Sequence, residues 1–552
     1  MEHLIIENHS FTRPAIDSMP VQALNNQPVI YILYQNAQPK PTAYIGQSVQ
    51  AVRRLQNHLS NPKRKGLHSI LIYGHKTFNQ SATYNIESNL INYFIADNKY
   101  MLQNVSQRAS RQMHQYYQKS YYNETLFKEI WQHLRSMELV SSSLEYLENK
   151  DLFKISPFKE LSPEQVDVKE KILAYCKENS KQTEHQVFII QGDAGTGKSV
   201  LLSSLFNTIQ DEAGDPGSTL YKTKNYLLVN HAEMLKTYKN MADSLPNLKK
   251  NNFDKPTSFI NKMTKLDQTA DITLVDEAHL LLTKEDSYNN FNAANHLQEI
   301  MKRSKITIII FDPSQVLKIK SYWNEKIMQD ISRQYKTKTL PLTSQLRMTA
   351  DQSVVDWINA FLEKRVPAFP RNRPDDYEFQ LFDDPDAFRS AIEEKNEEYG
   401  LSRVVSTFDY LHKKDGGTYY VDEDGLNMPW NRTEDKKTWA ESPQTIKEVG
   451  SIYTVQGFDL NYAGVVIGPS VSYDEHTDRL VIDTAKYQDK GAFTTRKDYT
   501  QAQNEQMKEE IILNSLTMLM KRGIHGLFLY AVDPKLKKKL QAVSKGADDE
   551  RH

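Results

Sequence analysis

A single cysteine, Cys176, stands among 552 residues. That excludes an internal disulfide framework and any zinc site built on several thiolates, and leaves the thiol to be read as a small apolar residue on a helix. No apolar run approaches the ~18 residues of a membrane span. The opening MEHLIIENHSFTRP lacks both a basic n-region and the apolar stretch of a secretion signal. A cytoplasmic chain with no membrane partner is therefore expected. Internal repeats and low-complexity segments are also missing, which excludes solenoids and compositionally biased linkers. Nor does charge of one sign dominate, since the net charge is −1.

What is present is an ordinary globular composition, 39% hydrophobic and 25% charged. At ~100–200 residues per domain the length suggests three or four units. The charge balances only over the whole chain. Residues 1–125 hold 12 Lys/Arg against 6 Asp/Glu, a surplus of +6, and the remainder carries −7. A positive first third suits a polyanionic partner. Its most basic loop, NPKRKG at 61–66, reads more readily as solvated than as a phosphate contact.

The runs PVIYILY at 28–34 and TAYIG at 42–46 predict two hairpin strands around a proline-containing loop, and SILIYG at 69–74 a third strand. SVQAVRRLQNHL predicts a helix capped by Ser48 with a Val52/Leu55/Leu59 stripe. TYNIESNLINYFIADN at 83–98 predicts a second, amphipathic helix. Residues 108–157 are polar, rich in tyrosine and helical in character, and read as a connector. From residue 160 the apolar runs VFIIQG, NYLLVNH, ITLVDEAH, KITIIIFD, SRVVSTF and YAGVVIG alternate with helical patterns. Continuous β-branched runs of this kind predict parallel strands covered on both faces, a doubly wound α/β architecture. The Pro/Asp/Glu-rich stretch 369–400 reads as a loop or insertion.

Gly192, Asp193, Ala194, Gly195, Thr196, Gly197, Lys198 and Ser199 spell G-x-x-x-x-G-K-[ST] between the strand VFIIQ and the apolar helix VLLSSLFNTI. This is the context in which backbone N–H groups and a helix N-terminus cradle phosphates. Lys198 is predicted to reach the β/γ-phosphates of ATP, and the Ser199 hydroxyl to ligate Mg²⁺. ITLVDEAH, 272–279, ends a buried strand in two carboxylates. Asp276 suits the magnesium shell, and Glu277 suits the attacking water.

LSPEQ (161–165), the phosphate loop, DEAH, FDPSQ (311–315), QLRM (345–348), IYTVQGFDL (452–460) and LMKRG (519–523) follow in the order of superfamily 1 helicase motifs. Over residues 160–535 the chain resembles the helicase-related ATPase domain of bacterial proteins and of long Schlafen proteins. The resemblance implies that Gln165 contacts adenine and Gln315 senses the γ-phosphate. It implies that Arg347 and Arg522 stabilise transition-state charge, and that Gln456 and Gly457 couple nucleotide state to a nucleic-acid groove. FDPSQ opens on Phe where the motif has Gly, and no large strand-separating insertion is visible, so ATP hydrolysis is a firmer expectation than unwinding.

The first domain poses a separate question. VIY at 29–31 and YIG at 44–46 resemble the paired strands of the GIY-YIG nucleases, with Val29 in place of the first glycine. Arg54 follows Tyr44 by ten residues, and His58 lies one helical turn further on the same face. Glu87 and Asn104 come next. The resemblance implies phosphodiester hydrolysis with one Mg²⁺ or Mn²⁺ on Glu87. Tyr31 would activate water with help from Tyr44, Arg54 would neutralise the scissile phosphate, His58 would shuttle a proton, and Asn104 would be the last polar position. His68 and His75 are read as structural.

The expected organisation is a GIY-YIG-type α/β domain at 1–115, a helical connector at 116–159, RecA-like lobes at 160–335 and 336–540, and a charged tail at 541–552. The expected activity is ATP-dependent DNA cleavage, with RNA left open as substrate and homo-oligomerisation left open as assembly. Fusion of these parts suggests bacterial defence against foreign DNA. Two alternatives are an ATP switch that cuts without translocation and an N-terminal domain that binds DNA without cutting it.

Overall fold

The structure is a computed structural model. It describes residues 4–19, 25–36, 40–104, 116–148, 150–182, 184–192, 196–286, 291–312, 315–321, 323, 329–330, 333–342, 350, 352–370, 377–413, 415–423, 425–432, 439–440, 442–455, 459–497 and 499–545. The chain divides into two compact units. The first takes residues 1–188, 198–276 and 300–309; the second takes 189–197, 277–299 and 310–552. The fold is mixed α/β with parallel sheets. No helix of the described residues is long and apolar enough to cross a membrane.

The N-terminal sheet comprises β1 (Ile5–Ser10), β2 (Asn25–Gln35), β3 (Thr42–Gln50), β4 (Ser69–Gly74) and β5 (Met101–Leu102), in the order β1-β4-β2-β3-β5. The hairpin predicted at 28–46 is β2–β3, antiparallel, and β4 matches the third predicted strand. β1 was not legible in the sequence. Its alternating burial marks an edge strand, paired antiparallel to β4. Ser48 is not a helix cap. β3 runs on to Gln50, Ser48 pairs with Val29, and the following helix Ala51–Leu59 starts without a side-chain cap. The strand wins because Ser48 Oγ accepts from Gln50 N at 3.0 Å, a local turn rather than an N-terminal cap.

The helix Gln80–Asp97 opens on Asn79, whose side chain accepts from Ala82 N, and closes on Asn98 in the left-handed region at φ 55°. It is not amphipathic, for most of its residues are buried around the whole circumference. Part of its cover is the described portion of the expected connector. Phe127 and Trp131 of the helix Phe127–Ser136 are buried and pack with Tyr93, and Trp131 also meets Phe94. Cys176 is buried as expected, and desolvation pushes its thiol up to about 12.

The second sheet holds β6 (Gln186–Gly192), β7 (Asn225–Val229), β8 (Phe253–Asp254), β9 (Ala270–Asp276), β10 (Ser304–Phe311) and β11 (Lys336–Leu342), ordered β11-β6-β10-β9-β7-β8. The pairs β7–β8, β7–β9 and β9–β10 are parallel. β10 and β9 lie between β6 and β7, so the loop leaving β6 emerges where sequence neighbours part, the usual ligand position in such sheets.

The third sheet lies wholly in the second unit. It contains β12 (Glu378–Leu381), β13 (Arg403–Ser406), β14 (Tyr419–Glu423), β15 (Leu426–Trp430), β16 (Val449–Ser451), β17 (Leu460–Ile467) and β20 (Gly523–Ala531), in the order β12-β20-β17-β13-β16-β15-β14. β18 (Val471–Asp474) and β19 (Arg479–Ile482) form a separate hairpin. Only β14 runs antiparallel to its neighbour in the large sheet. The stretch 369–400, expected to be a loop, contains β12 and the helix Pro385–Tyr399, capped by Asp384 through Ala387 N at 2.7 Å. This helix packs so closely that a Cβ on Gly464 would lie 2.7 Å from Ile392 Cγ1.

Candidate functional site

The register of the first hairpin sets the N-terminal site. Tyr31 pairs with Gly46 and Leu33 with Tyr44, so the two tyrosines are diagonal neighbours on one face, with ring centroids 6.3 Å apart. Gly46 is required here, because a Cβ at that position would fall 2.5 Å from both Cζ and Oη of Tyr31. The Tyr31 ring therefore lies directly over the bare backbone of β3. It is fully buried, and desolvation raises its pKa far above the ordinary phenol value.

The helix following β3 brings Arg54 and His58 to the same face. His58 Nε2 lies 2.9 Å from Tyr31 Oη, and its ring sits 4.8 Å from that of Tyr44. Arg54 is held above its ordinary pKa first by hydrogen bonding to Tyr31 and then by the charge of both phenols. His58 is pushed down to about 4 by burial and by the nearby Arg54 and Arg64 guanidiniums, which keeps its imidazole neutral at physiological pH. As a neutral ring it can accept a hydrogen bond from the Tyr31 hydroxyl at Nε2.

Glu87 lies on the buried helix Gln80–Asp97, is only 5% exposed, and acts electrostatically on Tyr31. Tyr31, Tyr44, Arg54, His58 and Glu87 thus belong to one neighbourhood of the first unit. Asn104 does something else. Its Oδ1 accepts from Ile45 N at 3.1 Å and its Nδ2 donates to Ile45 O at 2.8 Å, so the amide clamps β3 like one more strand residue. His75 is buried and engages Thr77, whereas His68 precedes β4 outside the cluster. Arg64 was missed in the sequence. It comes from the basic loop read as solvated, yet it is buried with its Cζ 3.8 Å over the Tyr44 ring. The only signal for it was the loop's charge.

A single carboxylate fits Mg²⁺, which keeps several waters and is held by one or two acids. Among the described residues no group of three His, Cys, Asp or Glu could form a protein cage for a metal. Glu87, buried and within electrostatic reach of the Tyr31 phenol, has the donor chemistry for a hydrated ion.

The phosphate-loop residues are distributed as follows. In the second unit Gly192 ends β6, Thr196 is buried, and Gly197 sits at φ +71°, a conformation that favours glycine. A Cβ on Gly192 would lie 3.0 Å from Leu342 O and from Thr196 Oγ1, so only glycine leaves the loop its close approach. In the first unit Lys198 and Ser199 open the helix Lys198–Gly214. A helix N-terminus opening on Lys198 and Ser199 is a backbone setting that suits phosphate. Asp193, Ala194 and Gly195 lie outside the described residues, as do Arg347, Gln456 and Gly457.

Asp276 ends β9, buried, and Tyr238 donates to its Oδ2 at 2.6 Å, a supporting contact that sequence reasoning missed. Such an oriented carboxylate suits a magnesium shell. Glu277 adopts φ +50°, strained for a side-chain residue, with Oε2 3.2 Å from the buried His279 Nε2. Gln165 closes a capping box on the helix Pro163–Asn179, its Oε1 accepting from Ser162 N at 2.9 Å. Gln315 donates to Asp312. Arg522 is buried just before β20, where its carbonyl accepts from Leu460 N at 3.0 Å.

Parallel strands alternating with helices, together with the G-x-x-x-x-G-K-[ST] sequence at 192–199, define the class as a phosphate-loop ATPase domain of helicase-like type. Residues 185–533 match the family model described as Schlafen group 3, DNA/RNA helicase domain, and the chain belongs to that family. A protein of Saccharomyces cerevisiae named "Uncharacterized protein YPL245W" is 38% identical over 416 residues, 70% of this chain and 91% of the yeast protein. Among solved structures, the Pif1 helicase from Candida albicans aligns at 13% identity over 71% of this chain and 99% of that one, with a TM-score of 0.28. The Sulfolobus solfataricus SWI2/SNF2 ATPase core aligns at 9% identity over 68% and 88%, with a TM-score of 0.25. With superpositions this weak, the assignment rests on the family match.

Proposed function

We propose that the chain is a nucleic-acid-processing ATPase whose N-terminal domain hydrolyses phosphodiester bonds, as GIY-YIG nucleases do. The observation that supports this reading is the convergence of Tyr31, Tyr44, Arg54 and His58 on one face, with the buried Glu87 within electrostatic reach of Tyr31. DNA is the expected substrate from the nuclease resemblance, and the family description extends the range to RNA.

Glu87 would hold a hydrated Mg²⁺ or Mn²⁺, whose charge would favour the leaving oxyanion. Arg54 neutralises the scissile phosphate. The raised pKa of Tyr31 argues against a standing phenolate at neutral pH. Tyr31 instead stays protonated and orients the attacking water through its oxygen, its own hydroxyl donating to His58 Nε2 at 2.9 Å, and the proton of the water is lost to solvent. Tyr44 packs His58 in place for that hydrogen bond.

In the ATPase domain, Lys198 binds the β/γ-phosphates, and Ser199 with Asp276 would hold Mg²⁺. Glu277 orients the attacking water, Gln165 meets adenine and Gln315 senses the γ-phosphate. Arg347 and Arg522 stabilise transition-state charge, and Gln456 and Gly457 pass nucleotide state to the nucleic-acid groove. Supercoiled plasmid incubated with protein and Mg²⁺, with and without ATP, tests the reading. Glu87→Ala should abolish nicking and retain ATP hydrolysis, and Lys198→Ala should abolish ATP hydrolysis. Nicking at the wild-type rate by Glu87→Ala would overturn it.

A further inference from the structure

Beside the tyrosine site, within the first unit, lies a cavity of about 930 Å³. That is within the roughly 300–1,000 Å³ of ligand pockets. The N-terminal domain contributes Lys63, Arg64 and Gln103 to its walls, and the phosphate-loop half contributes Asp215, Asn247 and Lys249. The two walls are fastened to each other. Leu102 N donates to Ser244 O at 2.9 Å, Ser244 Oγ donates to Asn98 Oδ1 at 2.8 Å, and Lys40 Nζ reaches both Asn98 and the Asp243 carbonyl.

Arg64 belongs to both places at once. Its guanidinium covers the Tyr44 ring and also lines the cavity. Nη1 is tied to Gln103 O at 3.2 Å and to Gln103 Oε1 at 3.0 Å, but the buried Nε finds no acceptor among the described residues. A buried cationic donor left without an acceptor is costly, and an arriving anion removes the cost. Lys63 and Lys249 are exposed on opposite walls. Three acids share the lining, Asp211, Glu212 and Asp215; Glu212 pairs with Lys177 at 3.0 Å and accepts from Ser218, and Asp215 accepts from Gly217 N.

We propose that this cavity is the path of the nucleic-acid strand into the cleavage site, with Arg64 binding the phosphate next to the cut and Lys63 and Lys249 binding phosphates further along. The inference rests on the nuclease reading for its direction, and its test is made by binding alone. Continuity favours a strand over a free small anion, because the Arg64 that lines the cavity also covers a tyrosine of the cleavage site. The phosphate-loop half of the chain thereby holds part of the nuclease substrate.

The test uses the full chain with labelled single-stranded DNA and RNA oligonucleotides of increasing length, in EDTA and without ATP, read by fluorescence anisotropy over a salt series. Removing Lys63 and Lys249 together (Lys63→Gln/Lys249→Gln) should weaken binding of the longer oligonucleotides about tenfold. It should also reduce the salt slope by ~0.7 for each phosphate of the single strand that is no longer neutralised. Arg64→Gln should weaken long and short oligonucleotides alike, with Arg64→Lys restoring part of the affinity. Melting temperatures of the lysine variant confirm that its fold is kept. Unchanged affinity and salt slope in the lysine double variant would overturn the proposal, even if Glu87→Ala abolishes cleavage. Inorganic phosphate competing equally against wild type and double variant would also overturn it. Cleavage that survives Glu87→Ala, with lysine-dependent binding intact, would remove the nuclease reading and leave the strand path standing.

Discussion

Gly46→Ala tests whether the Tyr31 ring is held where the proposed orientation of the attacking water needs it. The new Cβ would stand 2.5 Å from Cζ and Oη and 2.9 Å from Cε2 of Tyr31. Ordinary carbon contacts are about 3.5–4.0 Å, so the ring must retreat by roughly 1 Å. It has nowhere easy to go, since Tyr31 is fully buried in a cluster with Val29, Leu33, Leu55 and Ile72. Overpacking of this kind costs ~1–3 kcal/mol. At about 2–4 °C per kcal/mol for a domain of 150–250 residues, melting should fall by several degrees. A 1 Å retreat also breaks or stretches the 2.9 Å contact between Tyr31 and His58, so cleavage should fall more steeply than stability. The assay is a double-mutant cycle with Tyr31→Val, read by denaturant melting. Gly46→Ala should cost clearly less once the ring is gone, with a coupling within ~0.5–3 kcal/mol. An equal cost in both backgrounds, or none in either, would show that the Tyr31 ring is not pressed against the backbone at Gly46.

Other expectations follow from the same geometry. His58, measured by NMR titration of the free protein, should stay neutral down to about 4, and Arg64→Gln should raise that midpoint. Because its folded pKa lies below the unfolded value of about 6.5, folding stability should be lost as pH falls from 6.5 toward 4 and be unaffected above 6.5. His58→Gln should flatten that part of the stability profile. Asn104→Ala should cost ~1–3 kcal/mol in denaturant melts by leaving the Ile45 backbone pair unsatisfied; no measurable loss would mean the clamp is idle. Lys198→Ala should reduce steady-state ATP turnover by about 10² or more, whereas Glu87→Ala should leave turnover unchanged.

The parts of this molecule that were readable beforehand are those where local chemistry leaves one option. VFIIQG and KITIIIFD are too apolar and β-branched to be anything but covered strands, and the run from Gly192 to Ser199 needs its glycines between a strand and a helix. The i, i+4 spacing of Arg54 and His58 put both on one helix face, and the resemblance to GIY-YIG nucleases put that face beside the tyrosines. Features that depend on distant partners stayed hidden. Glu87 looks like the polar edge of an amphipathic helix, and its burial follows from cover such as Phe127 and Trp131, which the sequence presents as a polar segment. β1 takes its meaning from β4, some 60 residues later. Arg64 reads as one charge in a solvated loop until Tyr44 and Gln103 are seen against it. Ser48 misled because a serine before a helical pattern cannot reveal that β3 continues past it.

In the function proposed for this chain, Glu87 acts with Tyr31, Tyr44 and Arg54 to cut phosphodiester bonds. Nicking of supercoiled plasmid by purified wild type and by Glu87→Gln, in Mg²⁺ and then in EDTA, tests it most directly. Nicking is expected of wild type in Mg²⁺ alone, with the variant and the EDTA sample both inactive while the variant binds oligonucleotides as wild type does. Equal nicking by the variant, or none by a folded wild-type protein that hydrolyses ATP, contradicts it.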